Sequence, residues 1–197
     1  MVLTLVLGVV MMQAQAEVPV QLAPIVCPMT GQAVKADSPS IDYAGTRYQM
    51  CCGNCPAGFK KDPAAAIKSD KLNGKTFGAF LFDPVSNVRI DPKKAAGSSD
   101  YNGVRYYFAS ADEKKTFDAD PKTFTQTPDK EVLFCAVDGK PIKAYNTAGA
   151  YIDIKGTRYY TCDADCLAKL KADNSLADKV PTGQIKAPVA IDVATKQ

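Results

Sequence analysis

Tyr43-Ala-Gly45-Thr-Arg47-Tyr48 is the stretch on which the fold turns, because the chain writes it three times. It returns as Tyr101-Asn-Gly103-Val-Arg105-Tyr106 and again as Ile154-Lys-Gly156-Thr-Arg158-Tyr159. Self-similarity at a regular spacing marks a repeated structural unit. Each phrase reads as two short strands joined through a glycine, Ser40 to Tyr43 and Thr46 to Met50 in the first copy. Glycine there supplies the backbone freedom that a tight hairpin turn needs. The arginines are expected to brace the hairpin or a carboxylate, and Tyr48, Tyr106 and Tyr159 to pack against a helix.

The similarity extends outward from these phrases. Upstream, Cys27-Pro-Met29-Thr-Gly31-Gln-Ala-Val34-Lys35-Ala36 echoes Cys135-Ala-Val137-Asp-Gly139-Lys-Pro-Ile142-Lys143-Ala144. The middle copy opens more loosely, as Phe82-Asp-Pro-Val-Ser86-Asn-Val88. Downstream lie polar, helix-compatible stretches at 53–69, 110–119 and 163–173, with Ser110 and Asp163 as N-caps. Asp62-Pro63 and Asp120-Pro121 are expected to interrupt or end their helices, since proline lacks an N–H and disfavours helix just before it. The expected fold is therefore α+β, with three tandem small modules at 24–70, 79–126 and 131–178, each an opening turn, a β-hairpin and a short helix. A unit of about 45 residues cannot bury a secure core alone, so metal, disulfides or neighbouring modules must support it. Residues 179–197, with two prolines and mixed polarity, read as a flexible tail.

All seven cysteines fall at matching places in this scheme. The first module carries Cys27, Cys51, Cys52 and Cys55, and the third carries Cys135, Cys162 and Cys166. The shared pattern is one Cys on the opening turn, a gap of 23 or 26 residues, then C-x3-C where hairpin gives way to helix. Residues at i and i+4 share a helix face, so both thiolates of the closing pair can point at one ion, with the lone Cys as a third ligand. A closed tetrahedral site needs four ligands. Cys52 is the candidate fourth in module one; in module three Asp163, Asp165 or water must serve. The middle module is expected to have lost its site, with Ser86, Ala109 and Glu113 at the three positions. Met29 reads as a core side chain, with Val88 and Val137 as its equivalents, rather than a soft thioether ligand.

Disulfides are the competing account, because cysteines of exported proteins usually pair. Against a purely disulfide framework stand the odd total, the uneven division into four, none and three, and the awkward geometry of a bridge between i and i+4 in a helix.

The N-terminus reads as a secretory signal over residues 1–16. Val2 to Met12 is an uncharged apolar run of h-region length, and Ala14-Gln15-Ala16 forms an A-x-A cleavage site. Residues 1–16 would be removed, leaving a periplasmic or secreted protein with no stable membrane span. No Lys or Arg precedes the run. The chain has 197 residues, 46% hydrophobic and 23% charged, with a net charge of +3 from scattered Lys and Arg. No concentrated basic stripe points to nucleic acid. There is no histidine, which removes Ser-His-Asp and Cys-His chemistry and His-ligated hydrolytic metal centres. The acidic residues show no paired catalytic arrangement, and the chain is expected to be no enzyme.

The quoted residues resemble the YHS and TRASH-type domains, short cysteine modules of metal-handling proteins that include copper-transporting ATPases. The TRASH pattern is a single Cys, a gap of about twenty residues and C-x3-C, which modules one and three match with a slightly longer gap. The middle module is similar to the YHS form through Asp83-Pro84-Val85, Tyr101-x-Gly103-x-x-Tyr106-Tyr107-Phe108, Ser110, Phe117 and Asp120-Pro121. The resemblance implies a treble-clef-like finger and heavy-metal sensing, delivery or resistance. Sulfur ligands favour zinc, copper or another thiophilic ion over magnesium or calcium. A metal transporter or other envelope protein is the expected partner; the alternative is an interaction protein whose modules are only stapled by metal or disulfides.

Overall fold

The computed structural model describes residues 22–35 and 37–193. The expected leader, residues 1–16, lies outside the described residues. The structure is mixed α+β, with several sheets and a few short helices.

The first repeat forms β1 (Ser40–Tyr43), β2 (Thr46–Gln49), α1 (Cys55–Lys61) and α2 (Pro63–Ile67). A strand β3 (Gly78–Phe80) leads to the second repeat, with β4 (Gly97–Tyr101), β5 (Val104–Phe108), α3 (Ala111–Ala119) and α4 (Pro121–Phe124). A strand β6 (Lys130–Val132) leads to the third, with β7 (Phe134–Cys135), β8 (Lys140–Pro141), β9 (Ala150–Ile154), β10 (Thr157–Thr161) and α5 (Ala164–Ala172). The chain continues into β11 (Ile185–Lys186) and β12 (Ile191–Asp192). The two Asp-Pro steps each break a helix as expected, separating α1 from α2 and α3 from α4.

The three hairpins are copies in detail. Each turns through two residues of positive φ: Ala44 and Gly45, Asn102 and Gly103, Lys155 and Gly156, with φ near 48° and then 77°. That is the two-residue turn whose twist matches the flanking strands. Gly103 has a second reason to be glycine, since a Cβ there would lie 2.0 Å from the Phe77 ring. In every copy the arginine sits directly across from an aspartate, with Asp42 facing Arg47, Asp100 facing Arg105 and Asp153 facing Arg158. Each pair closes two parallel N–H to carboxylate bonds of 2.7–3.0 Å. The arginines thus brace their hairpins, as the phrase suggested, and the bidentate geometry holds the register.

The repeats do not stand apart. The first sheet runs β12-β1-β2-β3-β5-β4, so β3 joins the first hairpin to the second by pairing antiparallel with β2 and parallel with β5. The second sheet runs β11-β6-β10-β9, with β6 parallel to β10. The turn at Asn87 hydrogen-bonds to the start of β9 through Tyr151 N–H. One aromatic core, including Phe80, Phe82, Phe108, Phe117, Tyr145, Tyr151 and Tyr160, spans the second and third repeats. Fully burying each such ring contributes roughly 1.5–3 kcal/mol. A smaller core under the first repeat holds Ile41, Tyr48, Met50, Phe59 and Phe77. Packing on neighbours is therefore one of the supports these small units use.

The flexible tail is corrected. Residues 185–186 pair with β6, and residues 191–192 add an edge strand to β1. Val189 also caps the Tyr145 hydroxyl through its carbonyl. Backbone pairing rather than composition decided this segment, with Pro181 ahead of the paired stretches and Pro188 between them. Among the described residues no helix is long and apolar enough to cross a membrane.

Candidate metal centres

The opening turn of each repeat makes a small cage of N–H groups. In the first repeat Gly31, at φ +70°, donates its N–H to the Cys27 carbonyl at 2.8 Å. Gly139 repeats this with Cys135 at 2.9 Å, and Asn87 repeats it with Asp83 at 2.8 Å. The residue heading the turn is fully enclosed, with Cys27 and Cys135 at 0% exposure and Asp83 at 1%. The Asp83 side chain receives three backbone N–H groups, from Val85 (2.8 Å), Ser86 (3.3 Å) and Ala109 (2.8 Å). In the other two copies the backbone N–H groups of Met29, Thr30 and Cys51 favour the Cys27 thiolate, and those of Val137, Asp138 and Cys162 favour that of Cys135.

This register corrects two assignments. The middle counterpart of Cys27 is Asp83 and not Ser86, and the counterpart of Met29 is Val85 and not Val88. The loose middle opening misaligned the copies by three residues; the left-handed residue, Gly31, Asn87 or Gly139, is the signal that aligns them. Met29 packs with the first core and its methyl approaches Gly58, in keeping with a core role.

The cage favours an anion. Burial opposes ionisation of the Cys27 and Cys135 thiols, yet the N–H donors outweigh it and hold both below the ordinary thiol value. In the middle repeat a carboxylate takes the same seat; burial pushes Asp83 upward against the same donors.

The closing pair descends on this seat from the hairpin and the helix start. In the first repeat the Sγ atoms of Cys27, Cys51 and Cys55 all lie within 4.8 Å of one another. Cys51 Sγ is 3.7 Å from Cys55 Sγ and 3.3 Å from Thr30 Oγ1. Four sulfurs tetrahedral about an ion at Zn–S distances would sit ~3.8 Å apart, so the Cys51–Cys55 edge already fits. Burial pushes the Cys55 thiol up, reinforced by its thiol neighbours Cys52, Cys51 and Cys27. One thiolate suppresses the next, and a bound cation reverses that order. Cys52 is exposed and lies outside the three-thiol group, with its Sγ 2.9 Å from that of Cys55.

The third repeat assembles Cys135, Asp138 and Cys166, whose ligand atoms lie within 4.8 Å of one another. Cys162 lies beside Cys135 and Asp138; burial and those neighbours push its thiol up to about 12. The expected fourth ligands are corrected here. Asp163 is the N-cap of α5, its Oδ1 accepting the Cys166 N–H at 2.7 Å, and Asp165 is outside the group. Asp138 takes the place instead, at the position that Thr30 holds in the first repeat. Its nearness to Cys135 in the opening echo was the available signal, masked because its approach to Cys166 joins segments far apart in the chain. Gly149 packs beneath this corner, where a Cβ would lie 2.3 Å from the Cys162 carbonyl.

In the middle repeat Asp83 and Glu113 are the remaining donors, and Glu113 Oε2 accepts the Ser110 hydroxyl at 2.9 Å. Among the described residues they form no group of three. The two thiol groups can hold a metal ion. No family model, curated protein or solved structure matches this chain.

Proposed function

We propose that this chain is an exported binding protein for thiophilic ions, zinc or copper by class, with one site in the first repeat and one in the third, and that it is not an enzyme. The carrying observation is that two distant triplets, Cys27/Cys51/Cys55 and Cys135/Asp138/Cys166, converge at the same point of the same local structure. Three soft donors on one N–H-lined seat suit Cu⁺ or Zn²⁺, while the carboxylate of the third repeat tilts that site toward Zn²⁺. The opening turn, hairpin and helix around each site suit a treble-clef-like finger of the YHS and TRASH kind, with the middle copy as scaffold. Three-donor sites leave an ion exchangeable, which fits delivery or sensing at the cell envelope, with a metal transporter as the receiving partner.

Native mass spectrometry of the reduced, Zn²⁺-equilibrated protein tests this. Two bound ions are expected, with Cys27→Ser and Cys135→Ser each losing one and keeping the other. Fully reduced protein that takes up no Zn²⁺, or that takes up Zn²⁺ unaffected by either substitution, would overturn the reading.

A further inference from the structure

The first site carries a thiol that its counterpart lacks. Cys52 stands where Ser110 and Asp163 stand in the other repeats, four residues after the arginine-tyrosine phrase in each copy. Those two side chains accept an N–H from the third residue on, at 3.2 Å from Glu113 and 2.7 Å from Cys166. A serine or an aspartate does this work, so the local fold has no need of sulfur there. Nor does Cys52 belong to the three thiols that lie within 4.8 Å of one another. Its sulfur is exposed to solvent yet placed 2.9 Å from Cys55 Sγ, a buried member of that group. The residues between them are not helical, because α1 begins only at Cys55. A bridge across this connection avoids the geometric objection to pairing i with i+4 inside a helix.

We propose that Cys52 is a redox release trigger for the first site. Oxidation joins it to Cys55, withdraws that ligand and frees the ion, while the third repeat, with Asp163 in place of the extra thiol, keeps its cargo. The inference rests on the metal reading of the first site. The oxidant is a low-molecular-weight disulfide. Cys52 thiolate attacks one of its sulfurs, forming a mixed disulfide and expelling one thiolate. Cys55 thiolate then leaves the ion and attacks Cys52 Sγ, closing the intramolecular disulfide and expelling the second thiolate. Two electrons pass from the cysteine pair to the incoming disulfide, whose two thiolates take protons from water. The ion is left with Cys27 and Cys51, too few protein donors to hold it against solvent and chelator.

The test uses the full chain loaded with Zn²⁺, treated with oxidised glutathione in the presence of a zinc indicator. One of the two ions is expected to leave as the protein loses the mass of two hydrogens, and peptide mapping should place the bond between Cys52 and Cys55. Cys52→Ser should bind both ions and release the first at least roughly tenfold more slowly, because the attacking thiol and its short path are gone. Release from Cys52→Ser at the parent rate, or a bridge between Cys51 and Cys55 instead, overturns the trigger. A reduced parent chain that binds no Zn²⁺ overturns the metal reading itself, a result separable from two ions bound and neither released.

Discussion

The first and third repeats hold the same seat but dress it differently, and the middle repeat shows what the seat is for. Cys27, Asp83 and Cys135 each head a turn closed by a left-handed residue; Asp83 accepts three backbone N–H groups, and the same kind of groups favour the Cys27 and Cys135 thiolates. The chain therefore built one buried anion position three times. Where thiols descend on it, in the first and third copies, an ion can bind. Where Ala109 and Glu113 descend instead, the anion is a carboxylate satisfied by the backbone alone. The difference between a metal centre and a scaffold is thus carried by three side chains, not by the fold.

The largest effect should come from erasing that difference. Asp83→Cys, Ala109→Cys and Glu113→Cys together should give the middle repeat a site, raising the Zn²⁺ stoichiometry from two to three by native mass spectrometry. An unchanged stoichiometry in a folded triple variant would mean that the backbone seats are not equivalent.

The contrast between first and third sites sharpens next at Asp138. Asp138→Ala should weaken Zn²⁺ binding at the third site by roughly 10–100-fold in a competitive chelator titration, leaving the first untouched, since a ligand is lost at one site only. An equal loss at both sites would mean that Asp138 acts through the fold rather than on the ion.

A third contrast lies at the joint between the tail and the third repeat. Buried Glu131 accepts the Tyr145 hydroxyl, while its Oε2 and the neighbouring Tyr160 Oη lack partners among the described residues. Burial raises Glu131 to about 7, against the hydrogen bonds from Tyr145 and Val189 and the charge of Arg158. Between its ordinary value near 4.5 and about 7, the unfolded chain sheds a proton that the folded chain keeps. Its contribution to stability is therefore full below that ordinary value and is lost as pH rises through about 7. The parent should lose roughly 3 kcal/mol over that window in denaturant melts, and Glu131→Gln should flatten the profile. Among the described residues Glu131 lies outside the first thiol group, so Zn²⁺ binding there should not follow this profile.

The smallest effect compares the hairpins. Lys155 and Ala44 occupy the left-handed position that Asn102 fills in the middle copy. Lys155→Gly should stabilise by about 0.5–1 kcal/mol in thermal or chemical unfolding, by relieving the Cβ strain of that conformation.

Much of this was legible in the residues. The repeated Gly-x-Arg-Tyr phrase announced three hairpins and the two Asp-Pro steps announced broken helices; of the spaced cysteines, three gather in the first copy, while in the third Cys135 and Cys166 gather with Asp138 and Cys162 stays outside the group. What escaped was registration. Asp83 was hidden because a carboxylate does not look like a cysteine, although both serve as anions. Asp138 was hidden because its approach to Cys166 joins segments far apart in the chain. Cys52, counted as the candidate fourth ligand, lies outside the three mutually close thiols but beside Cys55.

Local patterns determined the hairpins, caps, helix breaks and the set of thiols, because each depends on neighbours a few residues away in the chain. The tertiary structure decided how the repeats share β3 and one aromatic core, how the last residues close both sheets, and which donors meet. Those outcomes depend on distances between segments that the chain separates by dozens of residues, where burial and backbone pairing, not spacing, choose the partner.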